Sequence, residues 1–413
     1  MKKLFFLAFS IMTLNACSLL EISQQIQKAD SIGHIKGIVQ LSSPQQGNII
    51  VHRYYLNNKT YISNDFTHAN KKGEYQFNTL PGTYYLAAYL DNNHDGEYQV
   101  PEYKGLLSLK TGQPAPVTVQ QGQITTVPAF SLSKKTPQLN TGYTHKHAIK
   151  KPSNNIGKLT ALNNPLFNRD NYSIGMWKPI QFIEQVGAGL FFLENYQADK
   201  IPVLFIHGIN GGPLDWQTTI ESLDRNHFQP WLIYYPSGLR LNIISDYLIT
   251  SILHLQNKYQ PKHLFIVAHS MGGLVARSTL KKYHQQHPAS ANSIKLLMTI
   301  NSPLSGMVSA GKGVDTSPII LPVWRDLAPN SEFLADLNQW KIPSTVPYHL
   351  VFSYLTDSSG DGIVSIENQI PLKMQQQAAR IYGFNNSHTG TLRDKSFLKI
   401  FNHIIEEQRL QIK

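Results

Sequence analysis

Leu264-Phe265-Ile266-Val267-Ala268-His269-Ser270-Met271-Gly272-Gly273 is the stretch that decides the fold. Its apolar start reads as a buried strand, and the spacing from Gly272 to Tyr283 reads as a helix. The chain must turn tightly between them. Such a strand-to-helix turn presents a serine hydroxyl at the end of a sheet. It needs small residues on both sides of the serine, because strand and helix approach closely there. Ala268, Gly272 and Gly273 meet that need, with alanine where glycine is the commoner occupant. Ser270 is the candidate nucleophile.

The surroundings agree with this reading. From residue 168 to 413, apolar strands alternate with helical patterns, which predicts an α/β class: a mostly parallel sheet with helices on both faces. Strands are predicted at Ile201–Ile206, Trp231–Tyr235, His263–Ala268, Ile294–Ile300, His349–Tyr354 and Ala379–Phe384. Helices are predicted at Pro213–Leu223, Leu239–Tyr259, Gly272–Tyr283 and Ser396–Glu407. A serine hydroxyl is a weak nucleophile without a base. In a sheet of this type the acid and the histidine follow the serine in chain order. Asp361 lies in an Asp-Gly-x-Val turn after the strand ending at Tyr354, and Asp357 is its rival. His388 is the only histidine in the late loop Gly383–Gly390. His403 falls in an amphipathic helix, and His145 and His147 precede the fold. In these roles Ser270 attacks a carbonyl carbon, His388 moves the proton, and Asp361 orients His388.

Three further segments widen the pattern: Gly175-Met176-Trp177-Lys178-Pro179, Gly187-Ala188-Gly189-Leu190-Phe191-Phe192-Leu193-Glu194, and Asn301-Ser302-Pro303-Leu304-Ser305-Gly306. With the serine turn, they resemble bacterial lipase-like α/β hydrolases over residues 170–405. That group includes triacylglycerol lipases and the eukaryotic enzyme that removes an acyl chain from glycosylphosphatidylinositol. The resemblance implies a carboxylic-ester hydrolase acting on lipid or acyl esters, with no cofactor required for catalysis. Lipases place an oxyanion-hole amide on the turn after a His-Gly pair. The pair here is His207-Gly208, in Leu204-Phe205-Ile206-His207-Gly208-Ile209-Asn210-Gly211-Gly212. By resemblance the donors are the backbone N–H groups of Ile209 and Met271, and His207 is structural in that turn. The apolar stretch within residues 303–345 reads either as a lid or acyl-chain wall, or as an insertion that packs on the core. Two other function classes fit the same sequence. One is a binding lipoprotein with an inactive hydrolase fold; the other is an acyltransferase using the same triad with a non-water acceptor.

The N-terminus carries Met1-Lys2-Lys3, an apolar run from Leu4 to Leu14, then Asn15-Ala16-Cys17. A charged start, a short apolar run and a small residue before a cleavage point make a secretory signal. Ending in Cys, it resembles the bacterial lipoprotein signal, which implies cleavage after residue 16 and lipidation of Cys17. Ser18 at the following position favours the outer membrane of a Gram-negative envelope over inner-membrane retention. Cys17 is the only cysteine, so no intrachain disulfide forms. No other run is long and apolar enough to suggest a spanning helix.

Residues 17–35 read as a tether. Residues 36–133 read as a small all-β sandwich preceding the α/β unit, with short strands punctuated by Gly, Pro, Asn and Asp. The run Gly73-Glu74-Tyr75-Gln76-Phe77 and Leu80-Pro81-Gly82-Thr83-Tyr84-Tyr85 resembles the transthyretin-like, carboxypeptidase-regulatory type of domain. Within it Asp91, Asn93, Asp95 and Glu102 match the spacing of a calcium loop. An ordinary Asn/Asp/Gly hairpin turn reads equally from the same residues. Residues 134–167, rich in Lys, Thr, Asn, Pro and His, read as a linker. The net charge is +11, falling to +9 when Lys2 and Lys3 leave with the signal. Lys and Arg are scattered and form no nucleic-acid motif. The excess suits an anionic lipid or envelope surface.

Overall fold

The computed structural model describes residues 18–41, 46–96, 99, 102–134 and 155–412. The signal segment and Cys17 lie outside the described residues, as do His145 and His147. No helix among the described residues is long and apolar enough to cross a membrane.

The first half forms two small sheets. One joins β1 (Gly33–Leu41) to β4 (Glu74–Thr79), β8 (Ile124–Thr126) and β9 (Phe130–Leu132). The other runs β3 (Thr60–His68), β2 (Asn48–Asn57), β5 (Gly82–Asp91), β6 (Lys104–Leu106), with β7 (Val117–Val119) paired to β5. Strand side chains alternate between faces. Ile35, Val39, Tyr75 and Phe77 of the first sheet therefore share one buried cluster with Val51, Leu86, Ala88 and Leu90 of the second.

The second half is an eight-stranded sheet. Its strands are β10 (Asn155–Leu159), β11 (Gly189–Phe192), β12 (Ile201–Ile206), β13 (Phe228–Tyr234), β14 (Leu264–His269), β15 (Ile294–Ile300), β16 (Tyr348–Tyr354) and β17 (Arg380–Asn385). Their order is β10-β11-β13-β12-β14-β15-β16-β17. All neighbours from β13 to β17 are parallel, and β11 runs antiparallel to β13. Central strands are buried along their whole length because helices cover both faces. Leu204, Ile206, Ile266 and Ala268 pack with helices Leu241–Tyr259 and Met271–Gln286. Val203, Phe205, Phe265 and Val267 pack with Trp216, Ile220 and the closing helix Lys395–Gln411.

Two boundaries differ from the sequence reading. Residues 18–30 of the expected tether are helical. Ile22, Ile26 and Ala29 make a helical stripe that packs on the main core, with Ile26 and Ala29 buried. The intervening Gln24, Gln25, Gln27 and Lys28 mask that stripe in the sequence. The second half of the expected linker, from residue 155, belongs to the α/β unit. It supplies β10, and Phe167 is fully buried in the core. The β-rich half also begins earlier, at Gly33.

The two halves are clamped together. Asp246 on helix Leu241–Tyr259 accepts from Asn78 Nδ2 at 3.0 Å, Gln76 Nε2 at 3.3 Å and Lys282 Nζ at 2.7 Å. Close by, the rings of His68 and His254 meet at 5.9 Å, and Asn257 reaches His68.

Candidate active site

Ser270 follows β14 directly, and its N–H donates to Ile300 O on β15 at 2.8 Å. Its backbone lies at φ 55, ψ −132, and the helix begins at the next residue. A non-glycine residue at positive φ is strained. The packing leaves no other path. A Cβ on Gly272 would meet Ile206 O at 2.5 Å and His207 O at 2.6 Å. One on Gly273 would meet Ser302 Oγ at 2.1 Å, and one on Gly208 would meet Ser270 Cβ at 2.8 Å. A strained serine between parallel strand and helix, in a sheet of this order, decides the architecture. This is an α/β-hydrolase fold.

Two loops at the same edge of the hydrolase sheet bring partners to Ser270. His388 Nε2 lies 2.8 Å from Ser270 Oγ, and its Nδ1 lies 2.6 Å from Asp361 Oδ2. A carboxylate only accepts, so Nδ1 carries the proton and Nε2 is left to accept from the serine. Asp361 Oδ1 accepts the N–H groups of Ile363 at 2.9 Å and Val364 at 2.8 Å. Both carboxylate oxygens are thus engaged, and the side chain is buried. Asp357 is exposed on the outer part of the same loop. His403 is largely exposed on the closing helix, 3.9 Å from Glu407. Geometry therefore unites Ser270, His388 and Asp361, and leaves Asp357 and His403 apart.

The backbone of His388 is held as firmly as its ring. Its N–H donates to Asp361 O at 2.9 Å. Its carbonyl accepts from His269 Nε2 at 2.9 Å and from Asn301 Nδ2 at 2.8 Å. Burial, then the neighbouring His388, pushes His269 down to about 3, so it stays a neutral donor. The sequence alone assigns no role to His269 or Asn301. Both lay inside quoted motifs, one beside the serine and one opening Asn301-Ser302-Pro303. Their adjacency to a strand end was the available signal.

The turn after β12 runs against the serine. Met271 N–H stands at the first turn of its helix, where backbone donors have no partner within the helix. Among the described residues, neither Ile209 N–H nor Met271 N–H donates to another protein group. His207 is committed to the turn. Its Nδ1 faces Gly208 O at 2.8 Å, its Nε2 accepts from Tyr235 N at 3.3 Å, and its ring stacks on Tyr235 at 4.0 Å. Burial lowers it to about 4. Asn210 N donates to Ser237 Oγ at 3.0 Å, which ties the turn to the loop after β13.

The insertion of residues 303–345 forms helices Val308–Thr316, Pro322–Leu327 and Glu332–Leu337. Leu321, Val323, Leu327, Phe333, Leu334 and Leu337 are buried in the main core, so most of its apolar residues serve packing. Arg277, buried on the serine helix, ties it down through Asn338 Oδ1 and Leu337 O. Trp216 is core.

The calcium-spaced residues are engaged in hydrogen bonds within their own loop. Glu102 accepts the N–H groups of Asn92 and Gln99, each at 2.9 Å. Asp91 accepts Gly96 N–H at 3.1 Å, and Asn93 bonds to Asp95. These bonds are turn chemistry: the loop satisfies its own backbone. Among the described residues there is no cluster of three or more His, Cys, Asp or Glu that could hold a metal.

A PGAP1-like alpha/beta domain family matches residues 238–317, which contain Ser270. No curated protein matches the chain. Among solved structures, the chain is similar to the mature lipase BlEst2 of Bacillus licheniformis. The identity is 15%, the TM-score 0.41, and the match covers 51% of this chain and 94% of that one. It is also similar to an esterase of Pyrococcus furiosus, with 16% identity, TM-score 0.38, and coverage of 54% and 86%. A thermophilic esterase of Thermogutta terrifontis matches with 14% identity, TM-score 0.35, and coverage of 51% and 92%.

Proposed function

We propose that this chain is a lipid-anchored serine hydrolase that cleaves carboxylic esters, lipid or acyl esters foremost. The observation that carries the reading is the continuous relay from Ser270 Oγ through His388 to Asp361, at 2.8 and 2.6 Å. In this relay His388 Nε2 takes the Ser270 proton as Oγ bonds to the carbonyl carbon. The N–H groups of Ile209 and Met271 receive the oxyanion, and one such donor is worth about 3 kcal/mol of barrier. The imidazolium then gives its proton to the departing alkoxide. Water repeats the sequence on the acyl-Ser270 ester and releases the acid. Asp361 orients His388 and stabilises its charged form. Cys17 carries the lipid anchor in this reading, and the chain belongs to the envelope, at the outer membrane.

Fluorophosphonate labelling of the wild type and of Ser270→Ala tests the nucleophile. An ester panel of graded chain length then reads the substrate class. Labelling of the wild type and not of the variant is expected. Equal labelling of both, or of neither, sinks the assignment. Product analysis with and without an alcohol acceptor separates hydrolysis from acyl transfer.

A further inference from the structure

Within residues 18–30 the described helix is fixed to the hydrolase unit at three points. Glu21 pairs with Lys178 at 2.6 Å in its first turn. Gln25 Oε1 accepts Gln181 N–H at 2.8 Å in the middle. Asp30 pairs with Arg325 at 2.6 Å at its end. Between these contacts Ile26 and Ala29 enter the main core.

The segments it grips lead to the catalytic edge. Trp177, before Lys178, packs edge-on against Trp324, before Arg325, at 6.1 Å. Gly238 N–H donates to Gly175 O at 3.0 Å, and Val323 N–H to Gly238 O at 3.2 Å. The neighbouring Ser237 holds the oxyanion turn through Asn210. The helix thus rides on a platform built behind that turn. On the side of Cys17 in the sequence it shows apolar surface: Leu19 is 55% and Leu20 62% exposed. Two adjacent exposed leucines are costly in water and suit the boundary of a bilayer.

We propose that this helix docks the enzyme on the membrane that holds Cys17, with Leu19 and Leu20 seated at the headgroup level. The Ser270 site is thereby presented to acyl esters of that same bilayer. The inference rests on the lipid-anchor reading of Cys17. Distance decides between a docked and a roaming enzyme. A tether of the seventeen residues 18–34 would reach about 60 Å when extended. The helix of residues 18–30 spans only about 20 Å. Its first grip on the hydrolase unit, at Glu21, is four residues from Cys17, at most about 14 Å even for a fully extended chain.

The test uses the full chain, processed in a bacterial envelope. The mass of the N-terminal peptide reports the anchor in every variant. Rates are measured on a soluble short-chain ester and on phosphatidylethanolamine–phosphatidylglycerol vesicles carrying a fluorogenic acyl-ester lipid. Hydrogen exchange of the peptide spanning residues 18–30 is followed on the same vesicles in parallel. For Leu19→Ser/Leu20→Ser, the vesicle rate is expected to fall at least tenfold while the soluble rate stays within twofold. Asp30→Arg and Arg325→Asp should each do the same, and the double swap should recover most of the loss. Vesicle rates unchanged in the leucine variant, or a swap no better than its parents, overturns the proposal. An N-terminal peptide without lipid overturns it together with the anchor. A wild type inert on the soluble ester refutes the hydrolase reading alone, since protection of residues 18–30 from exchange on the vesicles, lost in the leucine variant, still reports docking.

Discussion

Replacing Asp361 by Asn separates an orienting acid from a merely structural one. The carboxylate makes three contacts: Nδ1–H of His388, and the N–H groups of Ile363 and Val364. An amide has one accepting oxygen and one NH2 donor. If the oxygen faces His388, the NH2 group points at two backbone donors, and each orphaned donor costs about 1–3 kcal/mol. If the oxygen faces the backbone, only the contact to His388 is reversed. The second arrangement is therefore preferred, by roughly the cost of one orphaned donor. It places an N–H donor against Nδ1, so the ring proton moves to Nε2. That nitrogen then faces Ser270 Oγ with a proton of its own and cannot act as base. A wrong tautomer of this kind costs about 10⁴ in kcat, or ~5.4 kcal/mol of barrier. The fold should survive, because both loop amides keep their acceptor. The assay is steady-state hydrolysis of a soluble ester, with thermal melting alongside and Asp357→Asn as the control. The control is expected to keep its rate within about twofold, since Asp357 is exposed and apart from His388. An Asp361→Asn enzyme within tenfold of wild type, or a control that loses as much, would refute the reasoning.

Three further outcomes follow from the same geometry. Gly272→Ala forces a Cβ against two carbonyl oxygens and should cost about 1–3 kcal/mol. Gly311→Ala, in helix Val308–Thr316, meets only Pro329 Cδ at 3.4 Å and should gain about 0.5–1 kcal/mol; melts that shift the same way would contradict both. Asn301→Leu removes one of two donors to the His388 carbonyl and should lower kcat about tenfold with KM unchanged. A KM effect alone would mean that Asn301 does not position His388. The third concerns pH. Burial, with Lys258 beside it, holds His254 at about 4, and burial with His254 holds His68 well below the usual range. The unfolded chain takes up these protons as pH falls through about 6.5, while the folded chain does not. Stability should therefore fall from pH 6.5 toward 4, by up to about 1.4 kcal/mol per pH unit for each group. His254→Gln should flatten the pH dependence of the melt between pH 7 and 5, and an unchanged slope would count against this account.

The serine turn was readable because two signals coincide there: a fully apolar strand and a run of small residues forced by close packing. His388 was readable from chain order, since the late loop holds one histidine. Asp361 was readable from its Asp-Gly-x-Val turn, but what sets it apart from Asp357 in space was not. It depends on how the loop folds back, with Gly360 bridging to Ser365, and both aspartates sit in similar Gly/Ser surroundings. β10 escaped because Ile156 and Leu159 are its only strongly apolar residues and Gly157 breaks its register. The helix of residues 18–30 escaped because glutamines hide its stripe. Glu102 shows what spacing leaves open. Its spacing matched a metal loop, but spacing does not record that its oxygens face backbone amides.

Ser270 stands at a φ of 55, a left-handed backbone that the packing around it imposes. That conformation costs about 1–3 kcal/mol for any side chain, and glycine alone escapes it. A more heat-resistant version of this chain is therefore always one substitution away, and it is inert. A population screened for survival on heating, with no demand for turnover, would drift toward glycine at this position. Under the proposed mechanism, serine at this position trades stability for turnover.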